Sequence, residues 1–127
     1  MRPLVINGEM WRIVRVKPSD PSLIDRTHTL RLATTDPENR TIYVSDDIYP
    51  PLLDQVLLHE VAHAFTFSYN ILDYLHEIIP KQSWIAAEEL IAQIVENFSV
   101  EASIILAESL ARPLCIRGYC LEVSEDG

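Results

Sequence analysis

Hydrophobic and polar positions divide the chain into a first half rich in strand patterns and a second half with helical spacing, with the change near residue 45. Asn7-Gly8 stands between two short apolar segments and suits both positive-φ positions of a type I′ turn, so this pattern predicts a β-hairpin. A second turn signal, over residues 36–39, separates two further alternating segments. The predicted strand segments are 4–6, 11–16, 29–34 and 41–44.

The second half predicts two long helices. From Leu52 onward apolar residues recur at helical spacing, and this helix is predicted to end around Tyr69. Residues 71–79 fit either a short helix or an ordered loop, and Pro80 ends that segment. Ser83 is a candidate N-cap for the second long helix, and helix is expected to resume through residues 104–106 and to stop before Pro113. The stripe that this helix is expected to bury consists of Ile85, Ala86, Leu90, Ile91, Ile94, Val95 and Phe98.

These elements predict an α+β fold in which three or four mostly antiparallel strands precede the helices. The length of 127 residues fits one domain of ordinary size. We therefore expect a single domain over 1–127. It would consist of a strand-rich segment over 1–44, a helical segment over 45–112 and a tail over 113–127 whose acidic end is disordered.

Charge and composition exclude some classes of protein. The net charge is −9, whereas nucleic-acid binders are usually basic, so we expect no nucleic-acid partner. No apolar run approaches the roughly 18 residues that a transmembrane helix needs, and the first residues are too soon polar for a signal peptide. We therefore expect a cytoplasmic protein without a membrane partner. The two cysteines are expected to be reduced, with a local disulfide across a turn at Gly118 as the alternative.

One sequence motif indicates a chemical function. Residues 59–63 have the sequence HExxH, and they lie inside the first predicted helix. His59 and His63 are four residues apart, so their rings lie one turn apart on one helix face and can reach the same metal ion. Glu60 flanks that ion without occupying a ligand position. It can take a proton from metal-activated water and return it to a leaving amine. The motif thus predicts metal-dependent hydrolysis of peptide bonds.

Two histidines are too few, because a catalytic zinc usually takes three protein ligands and keeps the fourth position for water. The stronger candidates for the third ligand are the adjacent Glu88 and Glu89, near the start of the second long helix. One of them can face the first helix while the other faces solvent. Two histidines and one carboxylate favour a single Zn²⁺ ion over other divalent metals. The other candidates for the third ligand are His28, Asp73, His76 and Glu77.

With these residues, the chain resembles a minimal gluzincin metallopeptidase, similar to the minigluzincins and to short phage-encoded HExxH proteins of bacterial genomes. The resemblance covers residues 29–110 and implies a zincin-like fold: a small twisted sheet, an HExxH helix and a long backing helix that supplies a Glu ligand. Thermolysin-like gluzincins begin the ligand segment with Glu-x-Ile-small-Asp-Ile. Residues 89–94 match this register, which implies Glu89 as the ligand and Glu88 as the alternative. Gln93 replaces an Asp that often contacts a ligand histidine, and its amide brings no negative charge.

The resemblance also implies further components of an active site. A sheet-edge strand usually pairs with extended substrate, and residues 41–44 are the candidate. Some minigluzincins look latent, so residues 114–127 are a candidate for a segment over the cleft, with Cys115 or Cys120 meeting zinc as a thiolate. A donor to the developing oxyanion is also needed. The candidates for that donor are Tyr43, Tyr49, Tyr69, Tyr74, His76 and Tyr119.

The expected function is therefore that of a zinc metallopeptidase with His59, His63 and Glu89 as ligands and Glu60 as general base and acid. It would act on a peptide or protein substrate, as a monomer or homodimer, in the cytoplasm of a bacterial host and with a phage or prophage origin. The alternative is a non-catalytic phage or prophage interaction protein that retains the zincin scaffold and its metal site. A further alternative is a regulatory protease that cleaves a separate repressor-like partner.

Overall fold

The computed structural model describes residues 2–116 and 119–121, and the chain forms two compact units, Met1–Glu96 and Asn97–Gly127. Strands and helices are both present, so the fold class is α+β with a small mixed sheet. The single domain expected over 1–127 remains a prediction. The elements are β1 Leu4–Ile6, β2 Glu9–Val16, β3 Ala33–Asp36, β4 Thr41–Ser45, α1 Leu52–Ser68, α2 Ile71–Ile78, α3 Trp84–Ile94, α4 Val100–Leu110, β5 Leu114–Ile116 and β6 Tyr119–Leu121.

The predicted N-terminal hairpin is confirmed. β1 pairs antiparallel with β2, and both turn residues have positive φ, 50° at Asn7 and 76° at Gly8, as a type I′ turn requires. The four-stranded sheet has the order β1-β2-β4-β3. β3 pairs antiparallel with β4, whereas β2 and β4 run parallel. The sheet is thus mixed, with two antiparallel pairings and one parallel pairing.

The strand predicted at 29–34 begins later, as β3. The carboxylate of Asp25 accepts hydrogen bonds from the backbone N–H groups of Thr27 and Thr29 and from Nε of Arg31, at 2.8, 3.0 and 2.7 Å. These bonds hold the preceding segment in a turn, because they satisfy donors that a strand would use in a ladder. The choice of 41–44 as an edge strand is wrong, because β4 lies between β2 and β3. The two edge strands are β1 and β3, and β3 is the one whose residues line the cleft at the HExxH segment.

Helix α1 packs on the sheet through residues one turn apart on a single face. Ala64 is fully buried in a cluster with Ile6, Trp11 and Ile42. One turn later, Oγ of Ser68 accepts a hydrogen bond of 2.7 Å from Nε1 of Trp11. These small side chains let the helix approach the strands closely. Trp11 is a core residue, with 1% of its surface exposed.

The segment 71–79, for which the sequence allowed a helix or a loop, forms helix α2 over Ile71–Ile78. The second long helix begins at Trp84 as predicted, although the Ser83 side chain makes no capping hydrogen bond. The apolar stripe expected to be buried is largely exposed. Leu90 is 55% exposed and Phe98 is 58% exposed, whereas α3 buries Glu88 and Ala92.

The helical stretch Lys81–Leu110 is long and apolar enough to cross a membrane, by length and composition only. Its 30 residues include a window with a mean hydropathy of 1.5, of which 11% is buried. Glutamates interrupt this stretch, so the sequence still has no uninterrupted apolar run of about 18 residues. A lone helix of this kind is weak evidence for a membrane span, and the expectation of no membrane partner remains a prediction.

In the second unit, β5 and β6 form an antiparallel pair that places Cys115 opposite Cys120 along the backbone. Cys115 is disulfide-bonded, so the expectation that it is a reduced thiol is wrong. A disulfide-bonded sulfur is not available as a thiolate ligand, which removes Cys115 from the proposed latent arrangement. The predicted turn at Gly118, the side chain of Cys120 and the acidic end that was expected to be disordered lie outside what the structure describes.

Candidate metal centre

Three side chains from two helices converge in the first unit. His59 and His63 come from α1, and Glu89 comes from α3. Nε2 of His59 lies 3.3 Å from Oε2 of Glu89, and Nε2 of His63 lies 3.2 Å from Oε1 of the same carboxylate. One potential ligand atom from each residue falls within 4.8 Å of the other two. This group can hold a metal ion.

The chemistry of the donor set fits zinc. Two imidazoles and a carboxylate are three ligands of the kinds that catalytic zinc sites use, and a fourth position is left open. Burial lowers the pKa of His63, which favours the neutral imidazole with a lone pair for a cation, although the charge of Glu89 acts in the opposite direction. The residues present therefore suit the predicted ion.

Glu96 adds a contact that the sequence did not reveal. Its Oε1 lies 3.0 Å from Nδ1 of His59, and its Oε2 accepts a hydrogen bond of 3.1 Å from Nε2 of Gln55. A carboxylate on Nδ1 favours the tautomer with its proton there, which leaves Nε2 unprotonated toward Glu89. The resemblance had placed the partner of a ligand histidine at Gln93, an uncharged residue. Glu96 follows Glu89 by seven residues, which is about two helical turns. This spacing was the signal in the sequence that could have placed both carboxylates on the same helix face.

Glu60 points to the sheet instead of to α3. The hydroxyl of Thr35 in β3 donates a hydrogen bond of 2.5 Å to its Oε2, which fixes the orientation of the carboxylate. Burial raises the pKa of Glu60 to about 7, although this hydrogen bond acts in the opposite direction. Within the HExxH motif, the carboxylate of Glu60 thus lies toward the sheet, whereas the imidazoles of His59 and His63 lie toward α3.

Glu88, the alternative third ligand, has a different set of partners. Its side chain is 4% exposed and pairs with Nη2 of Arg26. Its Oε1 also lies 2.9 Å from Nε2 of His76, whose ring stacks on Trp84 with 3.8 Å between centroids. Glu88 therefore ties α3 to α2 and to the loop before β3. Glu89 is the member of the pair that meets His59 and His63.

A cleft of about 650 Å³ opens at this centre. All four residues of the edge strand β3 line it, together with HExxH residues and Glu89. Of the tyrosines considered as oxyanion donors, Tyr43 lines the cleft, while Tyr49, Tyr69 and Tyr74 are exposed and do not line it. The side chain of Tyr119 lies outside the described residues. The last candidate donor, His76, is engaged with Glu88.

The centre thus defines a protein with an HExxH helix and an acidic side chain on a second helix that together can hold an ion. No protein-family model, no curated protein and no solved structure matches the chain.

The partners of Glu88 and Glu89 lead to different expected results when each is replaced by glutamine. Glu89→Gln removes the carboxylate between the imidazoles, so we expect zinc binding to weaken strongly with little change in the stability of the metal-free chain. Glu88→Gln leaves Arg26 without its charged partner, so we expect stability to fall by about 1.5–3 kcal/mol while zinc still binds. Denaturant titration and zinc titration of both variants measure the two effects. Zinc binding lost only in Glu88→Gln would reverse the assignment.

The raised pKa of Glu60 predicts a pH-dependent gain in stability for Glu60→Gln without metal. Because the folded pKa lies above the value in the unfolded chain, the wild type loses stability as pH rises from about 4 through about 7. We expect the two proteins to be equally stable near pH 4 and the variant to be more stable by about 3 kcal/mol at pH 7. Urea titrations in chelator across this pH range measure the difference. A constant difference over the range would mean that Glu60 has the same pKa in the folded protein as in the unfolded chain.

Proposed function

We propose that the protein is a zinc-dependent peptidase with a zincin-like fold, acting in the cytoplasm on peptide or protein substrates. The observation that carries the proposal is the convergence of His59, His63 and Glu89 beside the buried Glu60 in an open cleft. Each of these side chains has the chemistry that the HExxH spacing requires. The order of small sheet, HExxH helix and glutamate-bearing helix supports the zincin-like assignment.

In this proposal, the imidazoles of His59 and His63 and the carboxylate of Glu89 would hold the ion. A zinc ion bound there supplies a Lewis acid that acidifies water and polarises a carbonyl. Glu96 keeps His59 in the orientation and tautomer that ligation needs. Thr35 holds the carboxylate of Glu60, which accepts a proton from water and delivers it to the leaving amine.

The edge strand β3 offers the cleft a place for an extended peptide. β3 pairs with β4 along one edge only, and its whole length lines the cleft beside HExxH. Unpaired backbone N–H and C=O groups of an edge strand can add a peptide as a further strand. This role belongs to β3 in the present fold, since the segment 41–44 is interior.

Metal removal and restoration test the proposal. The purified chain is incubated with a digest of unrelated proteins, and new peptide termini are identified by mass spectrometry. We expect cleavage with zinc, no cleavage after chelation, and recovery when zinc is restored. Zinc-loaded protein that cleaves no peptide, or chelated protein that cleaves equally well, would overturn the proposal.

A further inference from the structure

Arg31 lies in the cleft wall just ahead of β3, and the proposed chemistry does not use it. Its Nε donates a hydrogen bond of 2.7 Å to Oδ2 of Asp25. Among the described residues, neither Nη group of Arg31 has a hydrogen-bond partner, and 56% of the side chain is exposed. The guanidinium is therefore tethered at one edge while its remaining donors are open to the cleft.

The tether is itself rigidly built. Oδ1 of Asp25 accepts hydrogen bonds from the hydroxyl of Thr27 at 2.6 Å and from the backbone N–H of Thr29 at 3.0 Å. These bonds, led by that of the Thr27 hydroxyl, hold the pKa of Asp25 well below its usual range, so the carboxylate stays charged. An arginine held in this way loses less conformational freedom when it binds an anion.

The charge of Arg31 also interacts with two carboxylates of the proposed reaction centre, Glu89 and Glu60. The hydrogen bond to Asp25 is the main reason that the pKa of Arg31 is raised, and the charges of Glu89 and Glu60 contribute. The other arginine that lines the cleft, Arg26, is already engaged with the buried Glu88. Arg26 uses one Nη group in that pair, so Arg31 is the cleft arginine whose two Nη groups are both left for a ligand, within the described residues of the chain.

We propose that Arg31 binds a carboxylate of the substrate next to the bond that is cleaved, so that the peptidase prefers peptides with an acidic side chain or a free terminal carboxylate at that position. This inference rests on the proposed peptidase function. A guanidinium presents parallel N–H donors that match the two oxygens of a carboxylate, and such charge-assisted pairs are stronger than neutral hydrogen bonds. Arg31 is a specificity residue in this account, and Glu60 remains the proton carrier.

The test compares matched peptides in wild type and Arg31→Gln. Around a cleavage site found in the digest experiment, each flanking position carries either Glu or Gln, and each peptide ends in a free carboxylate or an amide. We expect kcat/KM for the preferred carboxylate peptide to fall by about 10–100-fold in Arg31→Gln, and the rate for its neutral sibling to change by less than about twofold. Arg31→Lys should keep some of the preference. The Glu/Gln and carboxylate/amide arms distinguish a side chain from a chain terminus.

Arg40→Gln is the matched control. Arg40 is also about half exposed and paired with a carboxylate, Oε2 of Glu9 at 2.7 Å, but it does not line the cleft. We expect this variant to leave the preference unchanged. Equal loss on charged and neutral peptides in Arg31→Gln, or no loss on either, would overturn the inference while leaving the peptidase proposal standing. Zinc-loaded wild type that cleaves no peptide would overturn the peptidase proposal and this inference with it.

Discussion

Replacing Glu60 with glutamine is expected to lower zinc-dependent peptide hydrolysis by about 10²–10⁴-fold, the usual contribution of a positioned general base and acid. Glutamine keeps the size of the side chain and an oxygen that can accept from the Thr35 hydroxyl, but it cannot carry the proton. Zinc content should stay at the wild-type level, because Glu60 is not among the three converging ligands. Steady-state hydrolysis and metal analysis of the same preparation measure both quantities.

Glu77→Gln is the control for this experiment, since Glu77 lies exposed on α2 and does not line the cleft. We expect wild-type hydrolysis from that variant. If Glu60→Gln hydrolysed peptides as fast as wild type, the proposed role of Glu60 would be wrong. A biological effect that survives in a hydrolytically inactive Glu60→Gln protein would instead favour the non-catalytic interaction protein.

The second large effect is expected from His63→Ala, which removes one imidazole from the centre. Loss of a residue that only orients a ligand typically weakens metal affinity about 10–100-fold, and loss of the ligand itself should exceed that range. The variant should also lose the gain in thermal stability that zinc gives the wild type, because that gain reflects binding to the folded state. Competition titration with a zinc chelator and thermal denaturation with and without zinc measure the two effects.

His28→Asn serves as the comparison, because His28 is exposed and has a φ of 63°, which asparagine tolerates. Zinc affinity should be the same in that variant as in wild type. Zinc bound by His63→Ala with unchanged affinity would show that the ion is held elsewhere.

The features that the sequence predicted depend on local signals. The hairpin follows from Asn7-Gly8, whose φ values only a few residue types adopt readily. Helix α1 follows from apolar residues that recur at helical spacing in the sequence. The alignment of His59 and His63 follows because they are four residues apart on that helix. The choice of Glu89 over Glu88 came from a resemblance in register, and the structure brings Glu89 to the two histidines.

The features that were missed depend on contacts between distant segments. The start of β3 is set by the side chain of Asp25, and the interior place of β4 is set by its parallel pairing with β2. The buried face of α3 could not be chosen from its pattern, because apolar residues occur on nearly all of its sides. Glu88 takes the buried position through Arg26 and His76, which lie far from it in sequence.

The shortness of β3 has a consequence for the behaviour of the protein in concentrated solution. The strand has four residues and is followed by Pro37, which has no backbone N–H to offer. An open strand edge of greater length invites a second copy of the same chain to add its own strand, which leads to aggregation. Here such pairing ends after a few hydrogen bonds, so the open edge of β3 is a poor template for fibres.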